Sequence, residues 1–295
     1  MDTSTSNTNT LSTSSFVYEL ATFQGAVYAA RASGLNASTD EGKTWHNALD
    51  SLQAEPTPVT CLLSHSQGLL AGSVGGLFSS QDGEQWQVIS LRRPTPTLSA
   101  LAVVTSHVDN HNDVLLASSL ADGVFRSDDN GKTWLAWNIG LFDLRVLSLA
   151  VTDDNTVVAG TETGLYISYN AAKAWEAIEM PVGDAVLSLA HHRGNIYVGT
   201  ETQGLYRLDT NTLGSSSSRI DTSDDAGWEK LELPEGAINQ VHIADEHRIV
   251  LLDETLYSYQ QGDWTTLEKD VSCFAYMNQQ LVIGFLDGSV QVNEI

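Results

Sequence analysis

The sequence predicts an all-β chain, folded as a single seven-bladed β-propeller of four-stranded antiparallel blades. A unit of about 40 residues recurs along the chain, and such a period is typical of repeat architectures. Each unit alternates short apolar runs with polar turns, which is the pattern of strands rather than helices. The composition, 42% hydrophobic with 23 Gly and 6 Pro, supplies a core and many tight turns. One meander cannot bury both faces, so we expect the copies to stack around an axis.

The repeat is clearest in the middle of the chain, where RVLSLAVTDDNTVVAGTETGLYISYNAAKAW (145–175) is echoed by AVLSLAHHRGNIYVGTETQGLYRL (185–208). Each copy contains an apolar strand, a polar turn, a second strand, a third strand that opens with Gly-Leu-Tyr-like residues, and a fourth near a Trp. Five weaker copies complete the set of seven, at 17–45, 59–86, 98–134, 238–264 and 271–295. The predicted propeller therefore occupies 16–295.

Two segments do not fit the repeat. The last copy stops after its third strand, so we expect the Ser/Thr-rich residues 1–15 to supply the missing strand and close the ring, with a disordered tail as the alternative. The stretch 209–227 interrupts the fifth copy, and its Ser, Gly and Asp content predicts a flexible insertion. A recognition loop is the alternative for that insertion.

The turn before the Trp carries the motif S-x-D-x-G-x-T-W, intact as STDEGKTW (38–45) and SDDNGKTW (127–134). It resembles the Asp-box, or bacterial neuraminidase repeat, of sialidases, sortilin-type receptors and photosystem assembly propellers. The resemblance implies a structural corner away from any catalytic face. The motif residues are Ser38, Asp40, Gly42, Trp45, Ser127, Asp129, Gly131 and Trp134. The motif is incomplete in two other copies. In one of them Gln81 takes the Asp position, and in the other Asn170 and Ala172 replace Asp and Gly.

The net charge limits the classes of partner that the protein can bind, and the cysteine content indicates the cellular compartment. Fourteen basic residues against 37 acidic ones give a formal charge of −23, which repels nucleic acids and anionic membranes. Cys61 and Cys273 lie in apolar runs, so we expect free thiols. No signal peptide or membrane span is evident, and we expect a cytoplasmic protein without membrane insertion. We expect no cofactor and no metal, because phosphate loops and spaced Cys/His sets are missing from the sequence.

The sequence favours a non-catalytic protein-binding scaffold over an enzyme, and we expect it to be one module of a larger bacterial assembly. No arginine lies in the Arg-Ile-Pro motif that sialidases have near their start. The sequence therefore lacks the arginines that bind the substrate carboxylate in sialidases. A glycosidase needs only two carboxylates that face a cleft. The alternative is therefore a glycan-binding or glycoside-hydrolase propeller.

The candidate binding surface is the face formed by the connectors between copies and the loops between second and third strands. The connector WNIGLFDLR (137–145) offers apolar and basic anchors, which are frequent carriers of interface energy. The remaining candidates are charged residues on the same predicted face. Together the candidates are Trp137, Phe142, Arg145, Arg92, Arg93, Glu162, Glu201 and Asp253.

Aligned copies also place one residue of each innermost strand in a common register. These residues are Glu19, Cys61, Ala100, Ser148, Ser188, Gln240 and Cys273. Most are small, as a crowded axis requires. Glu19 is a polar exception, with either a channel role or structural hydrogen bonds.

Overall fold

The computed structural model describes residues 15–52, 57–91, 94–106, 112–212, 227–244, 247–260, 262–277 and 279–294. These residues form seven antiparallel sheets, in which each strand pairs with the next one along the chain. Six sheets have four strands, and the seventh has three within the described residues. The predicted all-β, seven-bladed propeller is confirmed.

Within the described residues, the strands follow one another without helices longer than a single turn. Blades 1 and 2 comprise β1 (Val17–Phe23), β2 (Ala26–Arg31), β3 (Gly34–Ser38), β4 (His46–Asn47), β5 (Val59–His65), β6 (Gly68–Ser73), β7 (Gly76–Ser80) and β8 (Trp86–Ile89). Blades 3 and 4 comprise β9 (Leu98–Val104), β10 (Val114–Ser119), β11 (Gly123–Ser127), β12 (Leu135–Ala136), β13 (Val146–Val151), β14 (Val157–Thr161), β15 (Leu165–Ser168) and β16 (Glu176–Ile178). Blades 5 and 6 comprise β17 (Val186–His192), β18 (Asn195–Thr200), β19 (Leu205–Asp209), β20 (Trp228–Lys230), β21 (Ile238–Ile243), β22 (Arg248–Leu252), β23 (Thr255–Gln260) and β24 (Asp263–Glu268). Blade 7 comprises β25 (Val271–Met277), β26 (Gln280–Phe285) and β27 (Val290–Glu294), and short 3-10 helices lie at Asp50–Leu52 and Thr210–Thr212.

The first strand of each blade lies innermost and contacts the first strands of both neighbouring blades. The ring closes where β1 packs on β25 and β26, around Val17, Cys273 and Val282. The Arg31 guanidinium ties blade 1 to blade 7, because its Nη1 donates to the carbonyl oxygens of Ser15 (2.9 Å) and Gly288 (2.7 Å). Residues 1–14, which contain nearly all of the predicted closing strand, lie outside the described residues.

The connectors between blades and the loops between second and third strands lie on the same side of the ring. Consecutive strands run antiparallel, so both kinds of loop fall at the same end of each sheet. We call this side the connector face. The hairpins between first and second strands and the motif turns lie on the opposite face.

The two cysteines are buried and free, as predicted. Burial raises the pKa of both thiols, so each remains protonated at neutral pH. In the part of the chain that the structure describes, no helix is long and apolar enough to cross a membrane. Of the predicted insertion, 213–226 lies outside the described residues.

Candidate binding face

The two intact motif turns have the same hydrogen-bonding pattern. In blade 1, the Ser38 Oγ donates to Asp40 Oδ1 (2.8 Å) and accepts the Gly42 N–H (2.8 Å). Asp40 also accepts the backbone N–H of Thr44 (2.8 Å), and the Trp45 Nε1 donates to the Gly42 carbonyl (2.9 Å). Hydrogen bonds from Thr44 and Ser38 lower the pKa of Asp40 to about 2. The motif therefore stabilises a turn on the face opposite the connectors.

Blade 3 repeats this pattern around Asp129, whose carboxylate accepts the Thr133 N–H (2.8 Å) and hydroxyl (2.6 Å). The Ser127 Oγ accepts the Gly131 N–H (2.9 Å), and the Trp134 Nε1 donates to the Gly131 carbonyl (3.0 Å).

Within the described residues, no group of His, Cys, Asp and Glu side chains could hold a metal ion.

The alignment that gave the Asp position of blade 2 to Gln81 is wrong. Asp82 takes the role instead, because its Oδ1 accepts the N–H groups of Glu84 (2.9 Å) and Gln85 (2.7 Å). The serine partner is Ser80, whose Oγ accepts the Gly83 N–H (2.8 Å). The turn is one residue shorter than in blade 1, and alignment on the first serine concealed that deletion.

Blade 4 keeps the turn with an amide in place of the carboxylate. The Asn170 Oδ1 accepts the N–H groups of Lys173 (3.0 Å) and Ala174 (2.9 Å). Ala172 occupies the glycine position at a φ of 67°. An amide oxygen therefore serves as the acceptor of this turn.

We expect Asp129→Ala to lower the free energy of unfolding by about 1–2 kcal/mol, because it leaves the turn amides without their acceptor. Asp129→Asn is the matched control, since Asn170 performs the same role in blade 4. Chemical denaturation of the three proteins measures both changes. Equal stability of the alanine variant and the parent would show that solvent replaces the carboxylate at no cost.

Four of the seven residues in the common register of the innermost strands form hydrogen bonds between blades. The Ser148 Oγ donates to the Val186 carbonyl (3.1 Å), and the Ser188 Oγ donates to the Ile238 carbonyl (2.7 Å). The Gln240 Oε1 accepts the Phe274 N–H at 2.8 Å. In each case a polar side chain reaches the innermost strand of the next blade.

Glu19 belongs to the same set, because its Oε2 accepts the Leu62 N–H of blade 2 at 2.7 Å. Burial raises the pKa of Glu19 to about 7, and the hydrogen bond from Leu62 opposes that rise. Glu19 therefore has a structural hydrogen bond, which is one of the two roles expected from the sequence.

A central cavity of about 580 Å³ lies on the axis. Glu19 is the one carboxylate among the described residues that line it, beside serines, leucines and the half-buried His242. Phe16 and Tyr18 also line it, with ring centroids 5.1 Å apart. Glycosidases use two carboxylates at the scissile bond. The described lining of this cavity does not supply that pair.

The connector 137–145 is fixed in place by backbone contacts with blades 3 and 4. The Trp175 N–H donates to the Ile139 carbonyl (2.8 Å), and the Trp175 Nε1 donates to the Trp137 carbonyl (3.0 Å). Trp137 itself is half-buried, whereas the Phe142 side chain is 87% exposed. Of the two predicted aromatic anchors, Phe142 is the accessible one.

Arg145 lies beside two acids at the end of this connector. Its guanidinium forms ion pairs with Glu162 and, through Nε at 3.5 Å, with Asp143. Glu201 and Asp253 lie in the next two blades, and Arg92 and Arg93 lie outside the described residues. The structure thus brings together Phe142, Arg145 and Glu162 from the predicted set.

Sequence reasoning missed Asp143, which is nearly buried. Burial disfavours its charge, yet hydrogen bonds from the Arg145 N–H and Thr163, together with the guanidinium of Arg145, lower the pKa of Asp143. Its Oδ1 accepts the Arg145 N–H (3.0 Å), and its Oδ2 accepts the Thr163 hydroxyl (2.8 Å). An Asp two residues before its amide partner is a local turn signal that could have revealed it.

Comparison with known proteins identifies the fold. No family model and no curated protein matches the chain. The extracellular domain of a putative one-component system, BT4673 from B. thetaiotaomicron, superposes with a TM-score of 0.74 at 16% identity over 94% of this chain. The chain spans only 38% of the length of that protein. The likeness shows the fold alone.

A second similar structure matches at nearly full length. YCF48 from Cyanidioschyzon merolae superposes with a TM-score of 0.68 at 12% identity, covering 95% of both chains. YCF48 bound to D1 peptide gives a TM-score of 0.66 at 12% identity, with 96% of this chain and 92% of that chain covered. The matched proteins are seven-bladed propellers.

Proposed function

We propose that this chain is a non-catalytic scaffold that binds a segment of a partner protein on its connector face. The exposed Phe142, carried on a connector that backbone hydrogen bonds hold in place, is the observation that supports it most. A large aromatic side chain on a rigid support loses little conformational entropy on binding and can fill a pocket of the partner.

The structural comparisons give independent support for this class of function. YCF48 has this fold, and it is known in complex with D1 peptide. Another propeller of this fold, PorZ, is a surface component of the type-IX secretion system. We also propose membership of the Asp-box propellers, supported by the two matching motif turns, and a cytoplasmic location.

The glycoside-hydrolase alternative lacks such support. Glu19, the one carboxylate in the described lining of the central cavity, already accepts the Leu62 N–H of blade 2. Each further carboxylate of a hydrolase would have to come from outside that lining. We therefore propose binding rather than catalysis.

The proposed function predicts that replacing Phe142 and Arg145 together by Ala weakens partner binding by about 2–4 kcal/mol without unfolding the protein. The partner is first identified by affinity purification from the native host with mass spectrometry. Titration of the purified partner against both proteins then measures the loss.

A matched control removes an exposed apolar residue and a paired arginine elsewhere. Val88 is 62% exposed on β8, and the Arg207 Nη2 lies 2.6 Å from a carboxylate oxygen of Glu229 on β20. Val88→Ala with Arg207→Ala should therefore leave partner affinity unchanged. If the Phe142 and Arg145 variant binds like the parent, the interface lies elsewhere and the proposal fails.

A further inference from the structure

One position of each loop between second and third strands is equivalent in all seven blades. In each blade the backbone N–H at this position donates to a carbonyl just before the first strand, as in Glu162 to Arg145 (3.2 Å) and Glu201 to Ala185 (3.0 Å). The seven residues are Ala32, Val74, Leu120, Glu162, Glu201, Asp253 and Leu286. They form a ring around the axis on the connector face.

This ring is divided into two arcs of different chemistry. Blades 4, 5 and 6 supply the acidic arc, which consists of Glu162, Glu201 and Asp253, all exposed. The other blades supply the apolar arc, which consists of Leu286, Ala32, Val74 and Leu120. Val74 is 45% exposed and Leu120 is 43% exposed. Phe142 lies between the arcs, on the connector from blade 3 to blade 4.

The acidic arc retains charge that is available to a partner. Glu162 forms an ion pair with Arg145, but neither Glu201 nor Asp253 forms an ion pair within the described part of the chain. The chain as a whole carries a formal charge of −23, so its field attracts cations over long range. A second copy would bring the same excess negative charge, which disfavours self-association through this face.

We propose that the segment bound on the connector face is a basic and apolar stretch of a partner protein. Its Lys or Arg side chains lie over the acidic arc of blades 4–6, and its apolar side chains lie over Val74, Leu120 and Phe142. This inference rests on the proposed function and adds the chemistry of the partner. Complementary charge fixes the direction of the segment, and the apolar contacts supply most of the affinity.

The test uses three short fluorescein-labelled synthetic peptides. The first carries a block of Leu and Phe followed by a block of Lys, the second replaces Lys by Glu, and the third replaces Leu and Phe by Ser. Fluorescence polarisation should show that the first peptide binds at least about tenfold more tightly than either of the others. Its affinity should fall as salt is raised past about 0.15 M.

Two variants of equal charge locate the interaction. Glu201→Gln with Asp253→Asn should weaken binding of the Lys peptide by about tenfold. Glu176→Gln with Asp263→Asn changes the net charge equally on the outermost strands of blades 4 and 6, at exposed positions, and should have little effect. Glu162 is retained in both variants because it pairs with Arg145.

Equal losses in the two variants would show attraction by net charge alone and would overturn the inference. The inference would also be overturned if the Glu peptide or the Ser peptide bound as tightly as the Lys peptide. It would equally be overturned if none of the three peptides bound. The proposed function fails separately, if the Phe142 and Arg145 variant still binds the native partner. Loss of that partner without any preference for the Lys peptide would refute only the partner chemistry.

Discussion

Gly199→Ala is expected to destabilise the propeller by about 2–4 kcal/mol, because the added methyl group has no room. A Cβ at this position of β18 would lie 2.3 Å from the Ser188 Oγ and 2.6 Å from the Ile238 Cγ2. The Ser188 hydroxyl would have to leave the Ile238 carbonyl, so one contact between blades 5 and 6 would be lost with the close packing. Denaturant titration monitored by tryptophan fluorescence measures the effect.

Gly183→Ala is the matched control, since a Cβ there meets nothing within 4 Å and the backbone is not in the left-handed region. Adding Ser188→Ala to Gly199→Ala should restore part of the lost stability by removing the closer of the two clashes. If the Gly199→Ala variant were as stable as the parent, blades 5 and 6 would have to separate easily to make room for the methyl group. In that case the close approach would not contribute to closure of the ring.

Glu19→Gln is expected to make the protein more stable by about 1–3 kcal/mol at about pH 8, because it removes a charge from a site that disfavours it. The pKa of Glu19 is raised from 4.5 to about 7 in the folded protein. The folded state therefore holds this proton more tightly than the unfolded state. The resulting stabilisation is full below about pH 4.5 and disappears as the pH rises to about 7.

The chain provides the control for this prediction in Gln240, which makes the equivalent contact through an amide oxygen. Gln240→Glu should introduce the same loss of stability at rising pH, whereas Glu19→Gln should flatten the profile between about pH 4.5 and 7. Thermal unfolding measured across this range distinguishes the variants. Parallel profiles for the parent and Glu19→Gln would show that water in the central cavity solvates the carboxylate.

Local sequence chemistry accounts for much of the fold. The recurring unit predicts the seven sheets because strand periodicity and turn residues act over a few neighbours. The motif turns around Asp40 and Asp129 were likewise readable, because their partners lie within five residues along the chain. The same reasoning assigned Gln81 wrongly in blade 2, where a one-residue deletion changed the register.

The candidate site was only partly predictable, because exposure depends on packing between blades. The connector 137–145 showed apolar and basic residues, but not that Trp137 lies half-buried while Phe142 stands 87% exposed. Nor did the sequence show that Arg145 is paired with Asp143 and Glu162. Arg145 and Glu162 lie far apart in the chain and meet because β13 pairs with β14 within blade 4, at Val146 and Thr161.

The sequence by itself predicted the all-β class, the recurring four-stranded unit and the two intact motif turns, because each depends on interactions within one repeat. Only the tertiary structure decided which side chains bridge the blades, as Glu19 and Gln240 do, and how the acidic and apolar arcs divide the connector face. Those features depend on the angular placement of residues far apart in the chain. Closure of the ring sets that placement, and local sequence patterns do not predict it.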